Sequence, residues 1–437
     1  ADSAIDFLAD LLRAGRPRRI DQFGVLRLML KWIVENKSSH LSTFLDTVRK
    51  EDMDTYLELL GEAHGMGIKV VEERFLGEVR SLRNRSRDMI LLIKGYLATT
   101  DNISDDIVDI IDGLVSSEEN LRDLSKIITL SLKSSFLAGR FMKITEKLIR
   151  MLYVRGLYYE AANLSAKYAI NNIPLDPEKS LVFLDVAVNA CYCMDGESSV
   201  PMLYGDFISE ALRLGMTELA IAVLKRAYRE CRISGAKNMH IWSPIYTYVD
   251  DMKMFSLVRE AADEILQSLD VRGRNIVSGF IKLLELKLSE HVDIEKFGEL
   301  VDLGELYFII KAIAQFGYRR NSNAIIKALE MIINEGWSVR DISNVAYAAA
   351  VTLGEIGDFV AIKRLVDIIR KTRVAYFDDL LASILIEIAT YIMDMDEDLA
   401  CNLLEDAYRS FERAGMKWMS INALAILAAH RSLDGPM

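Results

Sequence analysis

Proline is scarce, at 6 of 437 residues. A chain so poor in the one residue that breaks helices is free to run long helices without interruption. Strand signals are missing as well. No run of strict apolar–polar alternation bounded by turn residues stands out. Cysteine is limited to Cys191, Cys193, Cys231 and Cys401. Cys191 and Cys193 lie two apart, so on a helix they face different sides and form no metal clip. The bland expectation is buried free thiols in a reducing, cytoplasmic compartment. Glutamine occurs only at Gln22, Gln267 and Gln315. Low Gln and Cys beside 27% charged residues resembles a thermophile's composition. Positive charge is in deficit, with a net charge of −11 and a pI near 5.2. That argues against a general nucleic-acid binder, which needs a basic footprint. No apolar run reaches the roughly 18–20 residues that span a bilayer, so no membrane role is expected. The opening ADSAIDFLADLL is acidic and does not read as a secretion signal.

Hydrophobic residues are abundant, at 51%, and helical periodicity is nearly continuous. One stretch organises the rest. Residues 219–237, LAIAVLKRAYRECRISGAK, have a twin at 399–417, LACNLLEDAYRSFERAGMK. Leu219/Leu399, Ala220/Ala400, Leu224/Leu404, Ala227/Ala407, Tyr228/Tyr408, Arg229/Arg409, Gly235/Gly415 and Lys237/Lys417 coincide. The offset of 180 residues (399 − 219) is about five repeats of roughly 36, the period of stacked helix pairs. A turn followed five residues later by a small residue recurs at Gly156→Ala161, Gly215→Ala220 and Met395→Ala400. Ala324 and Ala361 repeat the theme. Seven residues on, about two turns along the same face, come Ala169 (from Ala162), Ala227 (from Ala220) and Ala407 (from Ala400), which let paired helices approach closely.

This pattern, G/turn–x4–A–x6–A over roughly 140–432, resembles the tetratricopeptide-like family of helical repeats. The large aromatic and glycine expected in each first helix, and the proline expected at the repeat's end, are mostly missing. The Lys/Asn pattern by which some members grip a C-terminal carboxylate is not visible either. The resemblance implies an all-α solenoid of antiparallel helix pairs wound as a right-handed superhelix. Residues 1–135 form an irregular helical N-terminal part, and residues 136–437 form the repeat array. In the first part, helices are expected at about 2–13, 20–35, 40–48, 52–63, 67–79 and 86–98.

The sharpest electrostatic feature is Arg140, Lys143, Lys147 and Arg150, an arc of about 80° on one helix. Like charges at this spacing repel. They ask either for carboxylates on a neighbouring helix or for an acidic partner segment. A second basic run, Arg80, Arg83, Arg85 and Arg87, lacks the interleaved aromatics that bases stack on and reads as exposed loop. Asp101, Asp105 and Asp106 read as an acidic helix start. Asp394, Asp396, Asp398 and Glu405 mimic a calcium loop, but Leu399 occupies its glycine position. A helix cap at Asp396 fits better. Trp242, Tyr246 and Tyr248 read as core before groove. The five histidines are scattered, and no metal, cofactor or catalytic motif emerges. The last helix, 417–431, is apolar nearly all round. Trp418, Met419, Ile421, Leu424, Ile426 and Leu427 therefore ask for a cover, and a homodimer through this helix would supply one.

The function expected is a non-catalytic scaffold or adaptor holding a protein or peptide partner, acidic if it meets the stripe. A nucleic-acid-associated regulator using the basic helix faces is the first alternative. An enzyme with a pocket between the N-terminal helices and the array is the second.

Overall fold

The computed structural model describes residues 22–36, 40–100, 103–117, 119–132, 140–231, 233–291, 293–372 and 378–433. Among the described residues all regular structure is helical and no strand occurs. The fold is an all-α solenoid. The helix expected at about 2–13 lies outside the described residues, as does the stretch 133–139 beside the expected division at 135/136. The chain divides into two compact units between Met216 and Thr217.

The first unit contains α1 (Gln22–Asn36), α2 (Leu41–Glu51), α3 (Met53–Gly65), α4 (Glu72–Ser81), α5 (Ser86–Thr99), α6 (Asp105–Ser116), α7 (Leu121–Ser131), α8 (Met142–Val154), α9 (Tyr158–Asn172), α10 (Pro177–Tyr192) and α11 (Val200–Arg213). Here α1, α3, α5, α7, α9 and α11 form a ladder in which each packs on the helix two further along. The even-numbered helices stand further apart, and only α6 and α8 pack closely on one another. The same neighbour rule therefore runs on both sides of residue 135.

The second unit contains α12 (Thr217–Glu230), α13 (Asn238–Tyr248), α14 (Met252–Leu266), α15 (Val271–Leu288), α16 (Ile294–Val301), α17 (Leu306–Tyr318), α18 (Ser322–Asn334), α19 (Val339–Ile356), α20 (Phe359–Lys371), α21 (Asp378–Ile392), α22 (Glu397–Arg413) and α23 (Lys417–Leu433). Its ladder runs through α13, α15, α17, α19 and α21. Each helix pair leaves one apolar face for the next pair to cover, and stacking results. The twin segments begin α12 and α22, which stand ten helices apart, or five pairs.

The recurring small residues are where the helices meet. Ala161, Ala169, Ala220, Ala227, Ala324, Ala361, Ala400 and Ala407 are all buried. Asn321, Asp358 and Asp396 cap α18, α20 and α22, each side chain accepting a hydrogen bond from the amide three residues on. Asp176 does the same for α10, with Pro177 at its first position. Gly215 closes α11 at φ 74°, a left-handed conformation that a Cβ would strain. Its amide reaches Leu212 O, and the Met216 amide reaches Ala211 O, so two otherwise open carbonyls are bonded. Gly156 and Gly415 repeat this geometry.

Two further devices fix the stack. The first is backbone contact between α3 and α5. A Cβ on Gly61 would lie 2.1 Å from Leu92 O, and one on Gly95 would lie 1.9 Å from Glu58 O. The second is a cross-repeat cap. Thr99 Oγ1 of α5 donates to Glu62 O of α3, and Asn171 Nδ2 of α9 donates to Leu132 O at the end of α7. In the second unit cations take over. Lys287 Nζ of α15 donates to Tyr246 O, Thr247 O and Val249 O at the end of α13. Arg319, at the end of α17, donates to Leu286 O, Lys287 O and Ser289 O at the end of α15. Carbonyls at a helix end run short of amides further along their own helix, and here a donor from the next ladder helix adds a bond to each.

Candidate partner-binding surfaces

The basic stripe begins two residues before α8. The structure divides it in two. Arg140 Nη2 donates to Asp105 Oδ1 at 2.6 Å and to Ile103 O at 2.9 Å. Lys147 Nζ donates to Asp112 Oδ1 at 3.0 Å. The acidic face of α6 thus answers half of the stripe on α8, uniting two features that look separate in the sequence. Lys143 and Arg150 are exposed, and among the described residues their side chains form no ion pair or hydrogen bond. Seven residues apart, these two cations share one helix face.

Beside them a groove of about 560 Å³ lies between α8 and α10. Both helices pack on α9, but they do not pack closely on each other. The groove is lined by Ile149, Val154, Val182, Phe183 and Val186, with Arg150 on its α8 wall. Val154 is 79% exposed and Val182 57% exposed, large values for apolar side chains on ordered helices. At one end Lys179 of α10 pairs with Glu146 of α8. The Lys179 Nζ also lies 3.2 Å from Met142 Sδ. Tyr153 OH meets Cys193 Sγ at 3.4 Å, and that thiol is the main cause raising the tyrosine's pKa. Behind the wall, buried Tyr168 stands edge-on to Phe183 with ring centroids 4.6 Å apart. Burial pushes its hydroxyl far above the ordinary phenol range, and the carboxylates of Glu146 and Asp176 add to the effect.

The basic stripe alone gives no sign of this groove. Its signal lies in α10, PEKSLVFLDVAVNACY, which is apolar on more than one face. A helix with a single buried stripe needs only about 100° of apolar arc. Val182 and Val186 are the surplus.

Several residues of the other candidates have structural partners. Arg85 pairs with Asp88 at 3.7 Å and Arg87 with Asp54 at 2.8 Å. Asp396 accepts from the Leu399 amide at 3.0 Å and pairs with Lys363 at 3.1 Å. The Leu399 amide, then Lys363, hold its carboxyl below the usual carboxylate range. Trp242 is fully buried, and its Nε1 donates to Tyr228 OH at 3.0 Å. Tyr228 in turn donates to Asn238 Oδ1. Among the described residues its twin Tyr408 bonds only along its own helix, to Glu412 Oε1 at 2.6 Å. Gln315 Nε2 donates to Tyr246 OH at 2.7 Å, which ties α17 to α13. Among the described residues no group of three His, Cys, Asp or Glu is placed to hold a metal ion.

The last helix, α23, packs on α22. Ser420 and Ala423 are buried. Trp418 is 80% exposed, and Met419, Ile421, Leu424 and Ile426 are exposed with it. The Leu427 side chain lies outside the described residues. No helix among the described residues is long and apolar enough to cross a membrane.

No known family matches the sequence, and no curated protein does. Among solved structures the chain is similar to a circular tandem repeat protein with novel repeat topology and enhanced subunit contact surfaces. Identity is 11%, coverage 99% of this chain and 97% of that one, and the TM-score 0.20. At that score the likeness adds nothing to the fold, which rests on the helices themselves.

Proposed function

We propose that this chain is a non-catalytic scaffold of tetratricopeptide-like type that holds a protein or peptide partner on its helical stack. The observation that carries this reading is the α8–α10 groove. It is an apolar trough open to solvent on ordered helices, beside two cations without an internal partner among the described residues. A surface of this composition gains by covering its apolar floor and by receiving opposite charge at its edge. Cys191 and Cys231 are buried as expected, whereas Cys193 is exposed and Cys401 half-buried; all four are free thiols and suit a reducing compartment such as the cytoplasm.

Affinity purification of the intact chain from its native cell tests the reading. A protein that co-elutes in stoichiometric amount supports it, and a chain that elutes alone at physiological salt removes it. Self-association through α23 belongs to the same proposal, because Trp418 and its exposed neighbours gain burial against a second copy. Light scattering decides that part. A strict monomer at about 100 μM removes it, since dimer population follows protein concentration.

A further inference from the structure

The α8–α10 groove has a chemistry that selects its occupant. We propose that it receives an acidic amphipathic helix of the partner protein, with apolar side chains seated between α8 and α10 and carboxylates on Lys143 and Arg150. This rests on the scaffold reading and names the chemistry of the partner.

Shape comes first. Two helices that each pack on α9 but not on each other leave a trough running along both. A third helix fits such a trough, its ridge of side chains settling between two rows of neighbours. The volume of about 560 Å³ takes a handful of apolar side chains, not a whole helix. Helices bound in grooves insert one stripe, spaced i, i+3, i+4, i+7, and leave the rest outside.

Charge then narrows the class. Glu146 and Lys179 neutralise each other at one end of the trough. Arg140 and Lys147 are engaged by Asp105 and Asp112 of α6. Lys143 and Arg150 remain, giving this face of α8 an uncompensated positive charge. Their separation along the helix is about 10.5 Å, seven residues at 1.5 Å each. Carboxylates at i and i+7 of a partner helix have the same spacing. An anionic polymer or lipid surface is a poorer match. Such ligands call on many cations to neutralise phosphates, and they leave the valine-lined floor without an occupant.

The probe is a fluorescein-labelled helical peptide of about 16 residues, long enough to be helical when bound. It carries leucines at i, i+3, i+4 and i+7, with glutamates at i+1 and i+8 on the flank of that stripe. A second probe has lysines in place of the glutamates. Fluorescence anisotropy is read with the intact chain, the double variant K143E/R150E, and V182D. All three positions are exposed, and circular dichroism checks that each variant keeps its helices. The expected result is saturable binding of the glutamate probe, weakened about tenfold or more in K143E/R150E. The lysine probe binds that variant better than the native chain, and V182D weakens both probes. Failure of the native chain to bind the glutamate probe overturns the proposal. So does binding that neither K143E/R150E nor V182D alters. The native partner distinguishes this from the scaffold reading. A partner that co-purifies undiminished with both variants sinks the groove and leaves the scaffold standing. An intact chain that recovers no partner removes the scaffold reading and the groove with it.

Discussion

Replacing Gly95 by alanine tests whether α3 and α5 are held at backbone contact. The added Cβ would stand 1.9 Å from Glu58 O, whereas an ordinary contact begins at 3.4 Å. The helices must therefore part by about 1.5 Å (3.4 − 1.9 Å). The obstructing atom is a carbonyl inside α3 and cannot swing aside as a side-chain tip could. Overpacking of this kind costs about 1–3 kcal/mol and sometimes more. Alanine's better helix propensity returns up to about 1 kcal/mol. A net loss of about 2 kcal/mol follows from the upper part of the overpacking range, since α3 and α5 also share the burial of Leu57, Leu60, Leu92 and Ile93. The control is the same substitution at Gly77 or Gly113, where nothing lies within 4 Å of the new atom. There the helix gains about 0.5–1 kcal/mol. Urea unfolding followed by far-UV circular dichroism gives the midpoints. Native-state hydrogen exchange of the α3 and α5 amides localises the loss, which matters because a two-unit chain need not unfold in one step. A Gly95→Ala protein as stable as Gly77→Ala would refute the reasoning, because the two helices would then have room that the structure denies them.

Three other outcomes are expected. Asp358→Ala should cost about 1 kcal/mol at neutral pH through loss of the α20 cap. The Ala361 amide, then the Ser322 side chain, hold the Asp358 carboxyl below its usual range. Its contribution is therefore full above the ordinary carboxylate pKa and lost as pH falls through the depressed one, so the gap between mutant and native thermal midpoints should close in acid. His64 stacks on Phe75 with centroids 4.1 Å apart, and burial pushes its pKa down against the opposing pull of Glu72. The folded state prefers the neutral ring, so stability should fall as pH drops below about 6.5. His64→Phe should flatten that part of the denaturation profile, and an unchanged slope would reject the assignment. Arg319→Met removes charge-assisted bonds to the end of α15 and should cost about 2 kcal/mol. Faster amide exchange confined to the α15 C-terminus and its neighbours is the readout.

Much of the stacking was legible in the chain itself, because alanines and turn glycines have few other uses at such regular spacing. The 180-residue offset proved to be five helix pairs. The helices expected at 20–35, 40–48, 52–63 and 86–98 fall within a few residues of α1, α2, α3 and α5. The cap at Asp396 and the left-handed turn at Gly215 followed from local chemistry. Partners across helices were another matter. Nothing in the order of residues says that Arg140 meets Asp105 or that Lys147 meets Asp112, because those pairs depend on how α6 and α8 lie together. The groove was hidden for a similar reason. Val154 and Val182 look like ordinary core residues until it is known that α8 and α10 do not close on each other. A helix pattern shows which face is apolar, and it cannot show which neighbour fails to cover that face.

The caps supplied by Lys287 and Arg319 give the second unit a direction in time. Each cation lies later in the chain than the carbonyls it binds. On the ribosome α13 is therefore complete before Lys287 exists to close its end, and α15 waits in the same way for Arg319. Until then those end carbonyls must turn to water or, as Leu286 O does with Ser289 Oγ, to a local side chain. Growth from the N-terminus repeatedly leaves one open end and then seals it, like a zip whose slider moves only toward the C-terminus. Shortening the chain from its C-terminal side reopens the last seal, whereas shortening it from the N-terminal side discards carbonyls and cation-bearing helices in the order they were joined. Two deletion series of equal length should therefore differ in stability, with the C-terminal series losing more at its first step past Arg319.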